Sequence, residues 1–195
     1  VKARDLVRMS VARAAALKTL HSKVVPINKQ TLVIGGGIAG MNAALSLARQ
    51  GFASVIVEKE TELGGFARRL HHTIEGADIR AYVQQLVAEV TGHPKIRVLT
   101  GVRIAAFEGF KGNFLTTVAV GGAGGPEKIE HGAIIVATGA SEYRPSEYLY
   151  GQDPRVMTQV EFGDLLEAPG AADLQSVVMI QCVGSRNEQN ENCSR

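Results

Sequence analysis

The feature that most constrains this chain is the glycine run Gly35-x-Gly37-x-x-Gly40, which follows a short apolar segment directly and precedes a stretch with helical spacing. Thr31–Ile34 is apolar enough to be a buried strand, and residues 38–50 read as a helix stopped by Gly51. Ser54–Val57 is a second apolar run, closed by Glu58. Strand, helix and strand in that order place the two strands parallel. Each glycine then has a task. Gly35 makes the turn tight, Gly37 lets a pyrophosphate approach the backbone, and Gly40 lets helix and strand pack closely. Ala44 is small and faces the same contact one turn later. The helix start offers free N–H groups and a positive dipole end to an anion. Glu58, roughly 20 residues on, can accept both hydroxyls of an adenosine ribose and would repel a 2′-phosphate. Glycines alone would be weak; with both strands, the helix and the acid in place they predict a dinucleotide site that disfavours NADP.

The rest of the chain can be parsed by the same rules. Residues 2–20 read as a helix with Leu6, Val7, Val11, Ala14 and Ala15 near one face and Arg4, Arg8, Arg13 and Lys18 largely elsewhere. Such a helix either packs on the body with a solvated basic face or docks a preceding domain. Asp78 can cap a helix carrying Tyr82, Val83, Leu86, Val87 and Val90, ended by His93-Pro94. Ile96–Leu99 is another strand. Segments 103–107, 114–120 and 128–131 look like smaller antiparallel strands, with a turn at 121–126, and 133–137 returns to the central sheet. Thr158 and Glu161 have capping-box spacing for a short helix to about Leu166. Pro169 and Gly170 mark the expected domain boundary, after which 177–182 reads as a new buried strand. The expected organisation is a leading helix and connector over 1–28, a dinucleotide domain over 29–168, and the start of a second, truncated domain over 169–195. The expected class is α/β, with a mainly parallel sheet, helices on both faces and an inserted antiparallel β-meander.

Composition excludes several classes. A chain of 195 residues with 45% hydrophobic and 21% charged residues is ordinary for a globular protein. A net charge of +2 does not indicate nucleic-acid binding. No apolar run approaches the ~20 residues that span a bilayer, so direct membrane insertion is not expected. The start of the chain lacks a secretory signal pattern. Two cysteines do not make a disulfide framework, which makes a reducing cytoplasmic setting the expectation.

Two further segments favour FAD over NAD. Glu62-Leu63-Gly64-Gly65 resembles the flavoprotein loop that wraps the far side of FAD, and Ala137-Thr138-Gly139-Ala140 resembles the strand end that returns beneath the pyrophosphate. These motifs are similar to those of thioredoxin-reductase-like flavoproteins. Longer stretches narrow the match: LVIGGGIAGMNAALSLA, VEKETELGG, IIVATGASEYRPSEYLYG, VMTQVEF and VMIQCVGSR resemble the A-type component of heterodisulfide reductase. Close A-type relatives, such as that of the quinone-interacting oxidoreductase complex of sulfate reducers, resemble it too.

The resemblance implies a cytoplasmic iron–sulfur flavoprotein that binds FAD non-covalently and carries [4Fe–4S] clusters in its full length. It implies partnership with B and C subunits and a hydrogenase or formate dehydrogenase, with electrons passing through flavin towards a disulfide and ferredoxin. Carried over residue by residue, Gly35, Gly37, Ala39 and Gly40 would contact the pyrophosphate, with Thr138 and Gly139 nearby. Glu58 and Lys59 would lie at the adenosine, and Val102 would offer its backbone to the adenine. Gly64, Gly65 and Phe66 would line the loop near the ribityl chain. Cys182 and Cys193 resemble part of a cluster-binding stretch, but supply at most two of the four thiolates a cluster usually takes, so a cluster is not expected in this chain. The other reading of the pair is a buried core cysteine, Cys182, and an exposed one, Cys193.

His71-His72 sits near Arg68 and Arg69 with no acid close in sequence, and reads as a surface loop flanking the FAD rather than a metal site. His93 reads as a helix end and His131 as a strand end. No catalytic side chain is expected, because the chemistry would belong to the flavin. A competing class is a self-contained NADH-dependent flavin oxidoreductase, which would need a second glycine-rich phosphate loop; residues 1–195 hold none. A third is a non-catalytic module using its nucleotide for assembly.

Overall fold

The computed structural model describes residues 2–19, 22, 24–120, 125–169, 174–186 and 188. The first helix, α1, spans Lys2–Ala16 and buries no residue. Strand β1 is Thr31–Ile34, helix α2 Ile38–Arg49 and strand β2 Ser54–Val57. A 3₁₀ turn at Gly65–Arg69 leads to helix α3, Ile79–Gly92, and strand β3, Ile96–Leu99. Strands β4 (Val102–Phe110), β5 (Asn113–Val120) and β6 (Glu127–His131) form an antiparallel sheet, and β7 (Ala133–Val136) precedes helix α4, Gln159–Glu167.

Strands β1, β2, β3 and β7 make one parallel sheet in the order β3-β2-β1-β7. Alternation along each strand splits their side chains between two cores. Val33, Ile56 and Ile96 face α2 and α3, where they pack with Met41, Leu45, Leu86 and Val90. Leu32, Val55 and Val57 face the other way, against Val102, Val118 and Ile129 of the meander. Helices therefore cover one face only, not both as expected; the three-stranded meander covers the other. Leu32 and Ile56 are fully buried, and each such side chain contributes roughly 1.5–3 kcal/mol.

The local signals explain the element ends. Gly51 turns the chain after α2 at φ +91. Asp78 caps α3 by accepting from Ala81 N–H at 2.9 Å. Thr158 and Glu161 form a reciprocal capping box at the start of α4. Glu161 is held below the ordinary carboxylate range by the Thr158 amide first and the Tyr150 hydroxyl second.

Several expectations are corrected. The first helix ends at Ala16, and Leu6, Val7 and Val11 are 58%, 62% and 62% exposed, so it does not pack on the body. Tyr82 is exposed, although Val83, Leu86 and Val90 of the same helix are buried. Residues 177–182 form no strand; Val178 is 86% exposed, and the run lacks the paired neighbours that bury a strand. Cys182 is exposed, with φ 61, rather than buried in a core. His131, read as a plain strand end, is fully buried beside the Phe107 and Phe114 rings. The turn expected at 121–126 and the boundary at 168–173 fall largely outside the described residues.

Candidate functional site

The carboxyl ends of β1, β2 and β7 meet at one rim, where open α/β sheets bind ligands. Gly35 leaves β1 at φ +108, and a Cβ there would lie 2.2 Å from the Ala137 carbonyl oxygen and 3.2 Å from Thr138 Cα. A Cβ on Gly40 would lie 1.9 Å from the Gly35 carbonyl oxygen. These two glycines are demanded by the chain's own packing. Gly37 is different: its φ is −76, and a Cβ there would meet nothing within 4 Å. It also caps α2 without any side-chain hydrogen bond. The first amides of α2 have no intrahelical partner and carry a positive dipole end. Ala39 lies exposed in that first turn. An anion approaching the backbone closely fits this cradle.

Glu58 is 6% exposed at the end of β2. Its Oε2 accepts from Gly36 N–H at 2.6 Å and its Oε1 from Glu60 N–H at 2.9 Å. The acid therefore braces the glycine turn. Each oxygen keeps a further lone pair, so accepting from a ribose hydroxyl is still open to it. Lys59 is exposed, with its Nζ 3.8 Å from the Glu60 carboxylate.

The second glycine pair abuts the first. Gly64 N–H donates to the Gly36 carbonyl at 2.8 Å, and Gly37 and Gly64 form an isolated parallel bridge. A Cβ on Gly65 would sit 3.3 Å from Gly37 Cα. Phe66 follows, 37% exposed, with the Arg69 guanidinium 5.6 Å from its ring centroid. Val102 is buried beside Glu58, and its N–H is already donated to the Glu58 carbonyl at 3.1 Å. An adenine contact at Val102 would fall to its carbonyl. Thr138 and Gly139 lie exposed just past β7, Gly139 at φ +66.

Residues of the 3₁₀ turn and just after it, with the chain leaving β7, line a cavity of about 530 Å³. Its walls include Phe66, Leu70, Tyr143, Met157 and Val160. Sequence reasoning did not find Leu70, Tyr143, Met157 or Val160, because no local spacing marks them. Nor did it find Glu142, whose Oε1 accepts from Val160 N–H at 3.2 Å. Ile180 and Val183 also reach this cavity, while Cys182 between them is exposed. Among the described residues no group of three or more His, Cys, Asp or Glu side chains could hold a metal; Cys193 lies outside the described residues. His71 and His72 do have acidic neighbours, contrary to expectation: Asp164 at 2.7 Å and Glu167 at 3.1 Å, supplied by α4. Among the described residues no helix is long and apolar enough to cross a membrane.

A family model described as pyridine nucleotide-disulphide oxidoreductase matches residues 29–180. One of the A-type iron-sulfur subunits of CoB–CoM heterodisulfide reductase in Methanopyrus kandleri is 40% identical over 118 residues, which is 60% of this chain and 18% of that protein. The A-type component of the H(2):CoB-CoM heterodisulfide,ferredoxin reductase of Methanothermobacter marburgensis is 28% identical over the whole of this chain and 43% of its own length. This chain thus spans less than half the length of either relative. The crystal structure of Lactococcus lactis thioredoxin reductase superposes with a TM-score of 0.50 at 20% identity, covering 63% of this chain and 40% of that one, which shows the shared fold.

Proposed function

Because this chain belongs to the pyridine nucleotide-disulphide oxidoreductase family, we propose that it is the FAD-binding domain of an A-type, heterodisulfide-reductase-like flavoprotein. FAD supplies the redox chemistry when bound; the chain supplies position and electrostatics. The observation that carries the reading is Gly37, the one glycine of its motif that the chain's own packing does not require. The α2 N-terminus, with Ala39 in its first turn, would hold the pyrophosphate opposite Thr138 and Gly139. Glu58 and Lys59 would flank the adenosine, with the Val102 carbonyl at the adenine. Gly64 and Gly65 would pass the ribityl chain towards Phe66 and the cavity, which would take the flavin end.

In the full protein this domain would pass electrons through flavin towards a disulfide and ferredoxin. It would work with B and C subunits and a hydrogenase or formate dehydrogenase, in the cytoplasm. The two relatives are named for heterodisulfide reduction, one of them also for ferredoxin, which is what supports the reading. We take 29–168 as the FAD domain, with 1–28 leading into it and 169–195 leading on. The meander holds the end of that leader: Asn28 N–H donates to the Gly112 carbonyl at 2.9 Å, and Asn113 Nδ2 donates to the Pro26 carbonyl at 2.8 Å. Cys182 and Cys193 would join a [4Fe–4S] site only with ligands from beyond these residues.

The test is to purify the chain with FAD under argon, release the nucleotide by heat and identify it. Near-stoichiometric FAD, with no NADH oxidation by the chain alone, supports the reading. Recovery of NADP, or failure to retain any flavin, overturns it. Turnover of NADH would promote the self-contained oxidoreductase instead.

A further inference from the structure

Helix α4 forms part of the cavity wall through Val160, with Thr158 and Gln159 at its start. Of its residues only Val160 is buried, and Leu166 is 50% exposed. So little apolar burial holds a helix weakly. What joins α4 to the body is a set of polar and ionic pairs. His71 Nε2 lies 2.7 Å from Asp164 Oδ1, and His72 Nδ1 lies 3.1 Å from Glu167 Oε1. Arg80 of α3 lies 3.9 Å from the same Asp164 oxygen and 3.3 Å from His71 Nε2. Arg69 Nη2 lies 3.2 Å from Glu142, the residue that also accepts from the amide of Val160.

The signs segregate. Every basic group of this set comes from the 3₁₀ turn, the segment just after it or α3; every anion comes from α4 or the chain leaving β7. The same two stretches of chain both line the cavity, the first through Phe66 and Leu70 and the second through Tyr143, Met157 and Val160. We infer that α4 is a lid on the cavity, latched by the His71–Asp164, His72–Glu167 and Arg80–Asp164 pairs rather than by apolar packing, and that unlatching it governs entry and release of the cavity's occupant. The inference rests on the cavity taking the flavin end of FAD. Asp164 and Glu167 are 58% and 45% exposed, so salt reaches them and screens the Arg80–Asp164 pair, and the histidine pairs wherever the imidazole carries a proton on both nitrogens.

The experiment measures hydrogen exchange over 159–167 in the full chain, with and without FAD, alongside the rate of FAD release. Strands β1 and β2 serve as an internal reference for global unfolding. Conditions are about 20 mM and about 500 mM salt, where screening lengths are roughly 20 Å and 4 Å. The companion variant is Asp164→Asn/Glu167→Gln. Each exposed pair is worth a few-fold at most, so high salt or the double variant should raise exchange in α4 by roughly tenfold. FAD release should quicken by a similar factor, with the reference strands unchanged. Exchange in α4 indifferent to both salt and the double variant overturns the latch. Faster exchange with unchanged FAD release overturns the lid role. A chain that binds no FAD overturns the functional reading and removes the lid's cargo, while exchange in the unloaded chain still reports the latch, which keeps the two failures apart.

Discussion

Gly37→Ala should abolish FAD retention and leave the fold intact, whereas Gly40→Ala should damage the fold itself. Gly37 has φ −76 and ψ −177, a conformation any residue adopts, and its Cβ would meet nothing within 4 Å. Losing glycine's freedom in the unfolded chain stabilises by about 0.4–1 kcal/mol. Losing glycine's preference over alanine at a helix N-cap costs a similar amount, roughly 0.5–1 kcal/mol. The net change in stability should therefore stay within about 1 kcal/mol. Gly40 is the opposite case, because a Cβ there lies 1.9 Å from the Gly35 carbonyl oxygen and would lever α2 off β1. Overpacking of this kind costs about 1–3 kcal/mol or more.

On the binding side, the new methyl of Gly37→Ala would occupy the space the pyrophosphate needs. Displacing the phosphates from two helix amides forfeits two hydrogen bonds to a charged group, about 1.5–3 kcal/mol each. Together they weaken FAD by roughly 10²–10⁴-fold at about 1.4 kcal/mol per tenfold. Titration calorimetry with FAD gives the affinity, and urea midpoints of the apo proteins give the stability. FAD affinity for Gly37→Ala within about threefold of wild type would refute the cradle. So would a loss of stability in Gly37→Ala as large as that in Gly40→Ala, since the open space above Gly37 would then not exist.

Glu58→Gln leaves one of the Gly36 and Glu60 amides facing an NH₂ group in a buried site; urea melts should show a loss of about 1–3 kcal/mol, with weaker FAD binding as well. Thr158→Ala removes half of the α4 capping box and should cost about 0.5–2 kcal/mol of helix stability, read as faster hydrogen exchange over 159–167. His131 is buried, and burial lowers its pKa below 6.5, opposed by its hydrogen bond to the Ala133 carbonyl. Between that lowered value and 6.5 the unfolded chain binds more protons, so His131's contribution is full above about pH 6.5 and falls as pH drops through that window. Urea midpoints of wild type minus His131→Gln should shrink from pH 8 to pH 5; a constant difference contradicts the burial argument.

What could be read in advance was what local spacing carries. The motif glycines, the Asp78 cap, the Thr158–Glu161 box and the β1-α2-β2 unit each depend on residues a few positions apart, and the structure places them as expected. Sequence spacing assigned Gly35 and Gly40 to the chain's own turn and packing and Gly37 to a ligand, but not the contacts that distinguish them. That distinction depends on what stands opposite each Cα, and Ala137 reaches Gly35 only because β7 pairs beside β1. The face of the sheet opposite the helices was misjudged for a related reason. Val118 and Ile129 sit at alternating buried positions of their strands, with Val102 buried at the start of β4, but alternation does not say which sheet a buried face meets.

The failure at 177–182 follows from the same limit. Val177, Val178, Met179 and Ile180 have a strand's composition, yet they are 49%, 86%, 62% and 52% exposed and pair with no strand among the described residues. An apolar run specifies a wish for cover, not its source; without a ladder partner its amides gain nothing from extension. His71 and His72 make the converse point. Their acids stand 93 and 95 positions away in the chain, at a separation where spacing carries no information. They meet because β7 lies beside β1 and the chain leaving it returns α4 across the 3₁₀ turn. The lid is thus a product of topology: the same crossover that brings Thr138 to the glycine rim brings Asp164 and Glu167 to the histidines, so the cradle and its closure are assembled by one return of the chain.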